Sequence, residues 1–412
     1  MTRALRVVDS GHPLEVFEAL RAALGGGGPA VLPRDPNAPV ARGGDDVGGG
    51  VVAQNVALIV ETSGSTGTPK RVVLSADALL ASAAASAGAM GGQGQWLLAL
   101  PAHYVAGAQV LIRSIAAETE PVYYGEGRFD AERFAEVAAG LTHDLRYVSL
   151  VPVQLARLVD AVEAGDRRVA DTLRRFDGIL VGGQALAAGL RERALGVGAR
   201  ILRTYGSSET AGGCVYDGLP IGPTQVRVVE GMLEIGGPVL AEGYLHDPAR
   251  TAAAFHEADG MRWYRTGDLG RVDDGMVTVL GRADNVIISG GEKVLLDAVE
   301  RAVRSLPSLE HAVVVASDDA QWGQVPVVVA EGTASISLAE TREHVGAQLG
   351  RAAVPARIVR VDALPHLSSG KPDRVAAARL AAQGSASASD DDINSHDGDG
   401  DGDGHGHDDE QG

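Results

Sequence analysis

The sequence predicts an α/β fold with buried, parallel strands, and three observations carry that prediction. Strand-like apolar runs alternate with segments of helical spacing from about residue 96 to 207, the pattern of strands joined by helical crossovers. The chain then turns β-rich over 225–240 and 262–289, and mixed helix and strand return from 294. At 412 residues and 45% hydrophobic content it can fill more than one core, because single cores stop growing near roughly 250–300 residues.

Each element follows in order. Residues 14–24 (LEVFEALRAAL) carry apolar side chains at helical spacing and stop at Gly25–Gly28. Val56–Val60 reads as a buried strand, and Val72–Leu74 follows it across a polar loop. Ser75 is placed to cap an alanine-rich helix running to about residue 87, and WLLALP (96–101) is a strand ending at proline. Helices over 130–139, 153–163 and 187–196 then interleave with the strands RYVSLVP, DGILVGG and ARILRTYG. After the β-rich stretch come a helix at 294–305, the strands AVVVAS and PVVVAEG, a helix near 338–350 and ARIVRVDALP, together a small α+β domain. From residue 383 the composition falls to Ser, Asp, Gly and His, which predicts a disordered acidic tail. Its D-x-D-x-D-G run with Glu410 mimics a calcium loop, but only two residues follow, and alternating Asp and Gly generate such matches by chance.

The formal net charge is −18, yet residues 385–412 hold ten acids and no Lys or Arg, so the remainder carries only −8. No basic face is expected, which argues against nucleic acid as a partner. No run of ~18 apolar residues is present, so membrane insertion is not expected, nor is a secretory leader. A single cysteine, Cys214, forbids an internal disulfide. A cytoplasmic location is the expectation.

The loop TSGSTGTPK, Thr62–Lys70, is rich in donors and poor in anything that buries. Its glycines let backbone N–H groups converge, and Ser63, Ser65, Thr66 and Thr68 add hydroxyls, which suits an anion. It is not a phosphate loop of the G-x-x-x-x-G-K-[ST] kind, because Pro69 and Arg71 flank the lysine; a plain polar hairpin is the alternative. The 36 basic residues include only three lysines, Lys70, Lys293 and Lys371, each in a Gly/Ser-rich stretch. An ammonium on a flexible stem can follow a moving oxygen where a planar guanidinium cannot.

TSGSTGTPK, YGSSET (205–210), YRTGDLG (264–270), GRADNVIISGGEKV (281–294) and SSGKPDR (368–374), in this order, resemble the adenylate-forming acyl-CoA synthetase (ANL) superfamily over roughly residues 56–380. The resemblance implies a large multi-sheet α/β N-terminal adenylate-forming domain over 1–281 and a small mobile α+β C-terminal domain over 282–382. It implies carboxylate activation by ATP and Mg2+ to an acyl-adenylate, then thioester formation with coenzyme A.

Residue by residue, the resemblance gives Thr62, Ser63, Gly64, Ser65, Thr66, Gly67 and Lys70 to the β- and γ-phosphates. Gly182, Gly183 and Tyr205 would form the adenine slot, Gly206 would also bind the nucleotide, and Ser208 would contact the α-phosphate. Glu209 matches the magnesium ligand, Asp268 the ribose acceptor, Arg282 a second ribose or phosphate contact, Asp284 the hinge and Lys371 the catalytic lysine. His103, in LPAHYVAG, matches the segment that opens the acyl pocket. Taken singly, YGSSET also reads as a helix N-cap, Asp268 as a turn residue, Asp284 as a solvated acid and His103 as a core histidine. YGSSET lacks the second glycine of a serine hydrolase's nucleophile elbow.

The phosphate loop begins at residue 62, early for this superfamily, and the LPxHxxxG segment looks most like the 2-succinylbenzoate–CoA ligases of menaquinone biosynthesis. Such a small-molecule dicarboxylic acid wants a cation in the acyl pocket, for which Arg113 and Arg203 are placed. The alternatives are another aryl or medium-chain acyl-CoA ligase, a carrier-protein loader, or a nucleotide-binding homologue without turnover. Homodimer formation is left open.

Overall fold

The computed structural model describes residues 1–35, 50–62, 70–125, 127–332, 336–366 and 371–388. Two compact units divide them: Met1–Val286 together with His366–Lys371, and Ile287–Pro365 together with the chain from Pro372.

The larger unit holds three sheets. In the first, strands follow the order Gly243–Tyr244, Lys70–Ser75, Val56–Thr62, Ala30–Arg34, Thr2–Asp9 and Val51–Ala53. Val56–Thr62 and Lys70–Ser75 pair antiparallel with Thr62 opposite Lys70, so the expected anion loop closes a hairpin. Glu61 fastens its base to Arg34 and Arg71 through contacts of 2.9 Å. Burial opposes the Glu61 charge, but those two guanidinium groups outweigh it and lower its pKa.

The second sheet runs Leu219–Pro220, Gly212–Tyr216, Ile201–Ser207, Gly178–Val181, Arg146–Leu150, Gln95–Leu98 and Val122–Tyr123. Its last five strands are parallel, as the alternation of helix and strand requires. Successive residues face opposite cores: Tyr147 and Leu180 enter one cluster, Val148, Ile179 and Val181 the other. Ser75 caps the helix Ala76–Met90 by accepting from the Ala78 N–H at 3.3 Å, and Gly91, at φ 87°, ends it. The helix Val105–Ala116 was not foreseen from sequence. It is turned in against the preceding loop because Gly107 has no Cβ, which would stand 2.2 Å from the Pro101 carbonyl.

The third sheet orders Gln225–Val229, Met232–Gly236, Met261–Asp273 and Phe255–Ala258, with Met276–Arg282 also pairing with Met261–Asp273. It accounts for the β-rich composition. The smaller unit has one five-stranded sheet that includes Val313–Asp319, Gly323–Glu331 and Arg357–Val361, with the helices Leu296–Arg304 and Leu338–Leu349. A last helix, Arg374–Ala388, carries the backbone through 383–388, past the point where composition predicts disorder. The compact-unit boundary between Val286 and Ile287 lies a few residues beyond the expected division at 281/282.

Candidate active site

The carboxyl ends of the parallel strands in the second sheet gather several of the residues that the sequence singled out, which is where open α/β sheets place ligands. Gly182 and Gly183 follow the strand Gly178–Val181, and Tyr205–Ser207 ends the neighbouring strand. A Cβ on Gly182 would stand 2.3 Å from the Thr204 hydroxyl, and one on Gly206 would stand 2.2 Å from the Gly212 carbonyl. Gly206 faces backbone and therefore requires glycine, whereas a side chain at Gly182 would force the Thr204 hydroxyl to turn away.

Tyr205 donates its hydroxyl to Asp268 Oδ2 at 2.6 Å, although the two lie on different sheets. Thr266 Oγ1 accepts from the Asp268 N–H at 2.9 Å and fixes the turn. Arg282 donates to Asp268 Oδ1 at 3.2 Å and to the Thr266 carbonyl at 2.9 Å, while its other nitrogens reach Asp284 at 3.2 and 3.3 Å. Desolvation raises the Asp268 pKa despite Tyr205 and Arg282. Desolvation followed by the Asp268 charge holds the Tyr205 phenol protonated. Burial works against the Arg282 charge, but Asp284 and Asp268 raise its pKa. A carboxylate at Asp268, held in place from two sides, is the kind of acceptor a vicinal diol needs.

Glu209 is buried on the single helical turn Ser208–Thr210, not at the start of a longer helix. Ser208, also buried, opens that turn. Tyr244 donates to Glu209 Oε1 at 2.9 Å, and the Ala241 N–H donates to the Glu209 carbonyl at 2.8 Å. Oε2 carries no hydrogen bond among the described residues. One free oxygen of a fixed carboxylate fits a magnesium ion that takes its other ligands from phosphate and water. No cluster of three or more His, Cys, Asp or Glu side chains stands ready for a metal among the described residues, as such a site requires none. Desolvation and the Glu209 charge push the Tyr244 phenol pKa up, so it remains a donor. The Lys70 Nζ sits 5.8 Å above the Tyr244 ring, bringing the hairpin end toward the same carboxylate.

Lys371 belongs with the larger unit, and its Cε lies 3.9 Å from the place a Gly183 Cβ would take. Desolvation lowers its ammonium pKa below the ordinary 10.5, even though part of the side chain meets solvent. His103 lies beside Ser10, with Nδ1 2.9 Å from the hydroxyl, and its ring is 4.1 Å from that of Tyr104. Desolvation lowers its pKa, with Asp35 opposing, so the ring is neutral at pH 7. Arg113 is 6% exposed and stacks 4.8 Å from the Trp96 ring; its one hydrogen bond, 3.4 Å to the Tyr216 hydroxyl, is weak, and no carboxylate pairs with it among the described residues. Arg203 is instead exposed and already paired with Asp217 at 2.8 Å. Ser63, Gly64, Ser65, Thr66 and Gly67 lie outside the described residues, as do the acids of the tail.

Sequence reasoning missed Tyr244, Thr266 and Gln109. Thr266 stands in the TGD run and was open to discovery there. Tyr244 comes from a two-residue strand with no local signature.

Residues 34–250 match the family described as AMP-binding enzyme, and residues 298–371 match the AMP-binding enzyme C-terminal domain. A Mycobacterium tuberculosis protein named "Probable 2-succinylbenzoate–CoA ligase" is 37% identical over 385 residues, which are 92% of this chain and 98% of that one. The O-succinylbenzoate coenzyme A synthetase of Bacillus subtilis in complex with AMP superposes with a TM-score of 0.67 at 26% identity, covering 78% of this chain and 68% of that one. The same enzyme in complex with ATP and magnesium ion gives 0.66 at 27% identity, over 77% and 69%. The chain thus matches the mycobacterial relative nearly end to end and is shorter than the Bacillus enzyme. The expected superfamily and two-part α/β architecture agree with these matches, and the chain belongs to the AMP-binding enzymes of the adenylate-forming superfamily.

Proposed function

We propose that this protein activates 2-succinylbenzoate with ATP to an acyl-adenylate and then transfers the acyl group to coenzyme A; relatives named as 2-succinylbenzoate–CoA ligase, and the Bacillus enzyme's structures in complex with ATP and magnesium ion and with an acyl-adenylate intermediate, support this reading. The observation that carries this reading is the joint placement of Glu209–Tyr244, Tyr205–Asp268–Arg282 and Gly182–Gly183 at one sheet edge, with Lys371 beside Gly183.

Attack of a carboxylate on the α-phosphate brings two anions together, so the barrier is largely electrostatic. Magnesium, when bound at Glu209, supplies charge neutralisation to the phosphate oxygens. Asp268 accepts the ribose hydroxyls, Gly182 and Gly183 let the base approach the backbone, and Tyr205 supplies a ring for it. Ser208 offers a hydroxyl to the α-phosphate, and Thr62 with Lys70 frames the loop that takes the outer phosphates. Lys371 brings its ammonium to the charge that develops as pyrophosphate leaves. Asp284, on the turn Ala283–Asn285 just before the boundary of the compact units, is the hinge of this reading. Swivelling there removes Lys371 and presents the 290–293 loop for attack by the thiol, so one site serves two transition states. Arg113, buried without a carboxylate, pairs the second acid group of the substrate, and His103 opens the same pocket. A cytoplasmic location belongs to this reading, and light scattering measures whether the chain forms a homodimer.

The test is pyrophosphate release on mixing with magnesium, ATP and 2-succinylbenzoate, against benzoate and octanoate, followed by thioester formation when coenzyme A is added. Release driven by 2-succinylbenzoate is expected. Release driven only by another acid overturns the substrate assignment, and none from any acid overturns the enzyme.

A further inference from the structure

We infer that Gln109 is a positioning residue for Glu209, holding the metal-carboxylate turn from the helix that also carries Arg113; the inference rests on the function proposed above. Glu209 sits in a turn that ends at Ala211 with φ 50°, a left-handed conformation that an L side chain rarely adopts. Something must hold it there. The Ala211 carbonyl accepts from Gln109 Nε2 at 2.8 Å and from the Ser82 hydroxyl at 3.0 Å, donors on two separate helices. Upstream, the Thr210 hydroxyl accepts from the Ser207 N–H at 2.9 Å and lies 2.8 Å from the Gly212 carbonyl, so the turn is fixed at both ends.

Gln109 is fully buried, and its Oε1 has no partner among the described residues. A buried amide with half its capacity unused is a poor contribution to stability, and an apolar side chain of the same length would fill the space at less cost. What the amide provides that an apolar chain cannot is the contact with Ala211. The geometry is close: a Cβ on Gly212 would lie 3.3 Å from Gln109 Cγ. Gln109 and Arg113 stand one helical turn apart on the helix Val105–Ala116 and face the same way. One rigid element therefore touches both the acid-binding arginine and the turn that aims the carboxylate.

Gln109→Met keeps the length and removes the donor. Its apparent KM for magnesium-ATP is expected to rise about 5- to 30-fold, the loss of one buried hydrogen bond, with the KM for 2-succinylbenzoate little changed. Calorimetric titration with magnesium and a non-hydrolysable ATP analogue should weaken by the same factor. In a Glu209→Gln background the added effect of Gln109→Met should vanish, because the group it positions is gone. An unchanged magnesium dependence, or the same loss in the Glu209→Gln background, overturns the inference while leaving the active wild type's function intact. Should Gln109→Met fail to fold, Ser82→Ala removes the other donor to the same carbonyl; a smaller rise in the same constant is expected, and no rise overturns the inference.

Discussion

Two tyrosines define how single residues work in this site, because each lends a phenol proton to a carboxylate that the proposed function gives to a ligand. Tyr244 reaches Glu209 at 2.9 Å and leaves one oxygen free. Tyr244→Phe keeps the ring and deletes that donor, so the magnesium concentration for half-maximal adenylation should rise by about 10-fold or more, as read from pyrophosphate release across a magnesium titration. In the proposed function Arg113 meets the other end of the substrate. Arg113→Met should raise the KM for 2-succinylbenzoate by about 10- to 100-fold, the value of a hydrogen bond to a charged group, and leave any turnover of benzoate unaffected; equal losses on both acids would remove the arginine from substrate recognition. Asp268, Glu209 and Lys371 were legible in the sequence because their motifs are local. Their pairings were not, since Tyr205 meets Asp268 across 63 positions and Tyr244, which no local motif marks, meets Glu209 across 35.

The elements that carry these residues depend on a few backbone approaches that only glycine permits. The strand Ile201–Ser207 has a parallel neighbour on one side and an antiparallel one on the other, and its register to the latter shifts between Tyr205 and Gly206. Gly206→Ala would drive a methyl into the Gly212 carbonyl, so the strand must move; about 1–3 kcal/mol of stability should go, seen as a lower Tm, together with most of the adenylation rate. The strands and helices of the parallel sheet were readable because their apolar periods are long and their caps, Ser75 and Gly91 among them, are strong. The helix Val105–Ala116 escaped notice since it is buried nearly all round, with Gln109, Arg113 and Ser114 in its core-facing positions breaking the apolar pattern. YGSSET looked like a helix start because a single turn and a long helix share the same opening residues; Ala211 and Gly212, which bend the chain back, are what stop it.

At the scale of the whole molecule, Lys371 gives both stability and activity a dependence on pH. A lysine whose folded pKa is depressed makes the folded state the weaker proton binder. The desolvation cost of Lys371 is therefore present in full below its folded pKa and disappears as pH rises past the unfolded value near 10.5. Activity runs the other way: adenylation should fall as pH rises through the lowered pKa, while conversion of a supplied acyl-adenylate to thioester should lack that limb. Lys371→Ala should cost adenylation about 100- to 1,000-fold and spare the second step, and Lys371→Arg should move the basic limb upward. Equal loss of both steps would sink the two-geometry scheme. The order of domains was legible because composition changes near residue 282, but the grouping of Lys371 with the larger unit was not, since SSGKPDR carries no apolar period to assign it. His366 and Lys371 group with the larger unit, whereas Ile287–Pro365 and the chain from Pro372 make up the smaller one. Cleavage after Val286 would consequently not yield a catalytic half and a dispensable half; the N-terminal fragment would lack Lys371, and activity would return only when the severed remainder brought that side chain back beside Gly183, as in split-enzyme complementation.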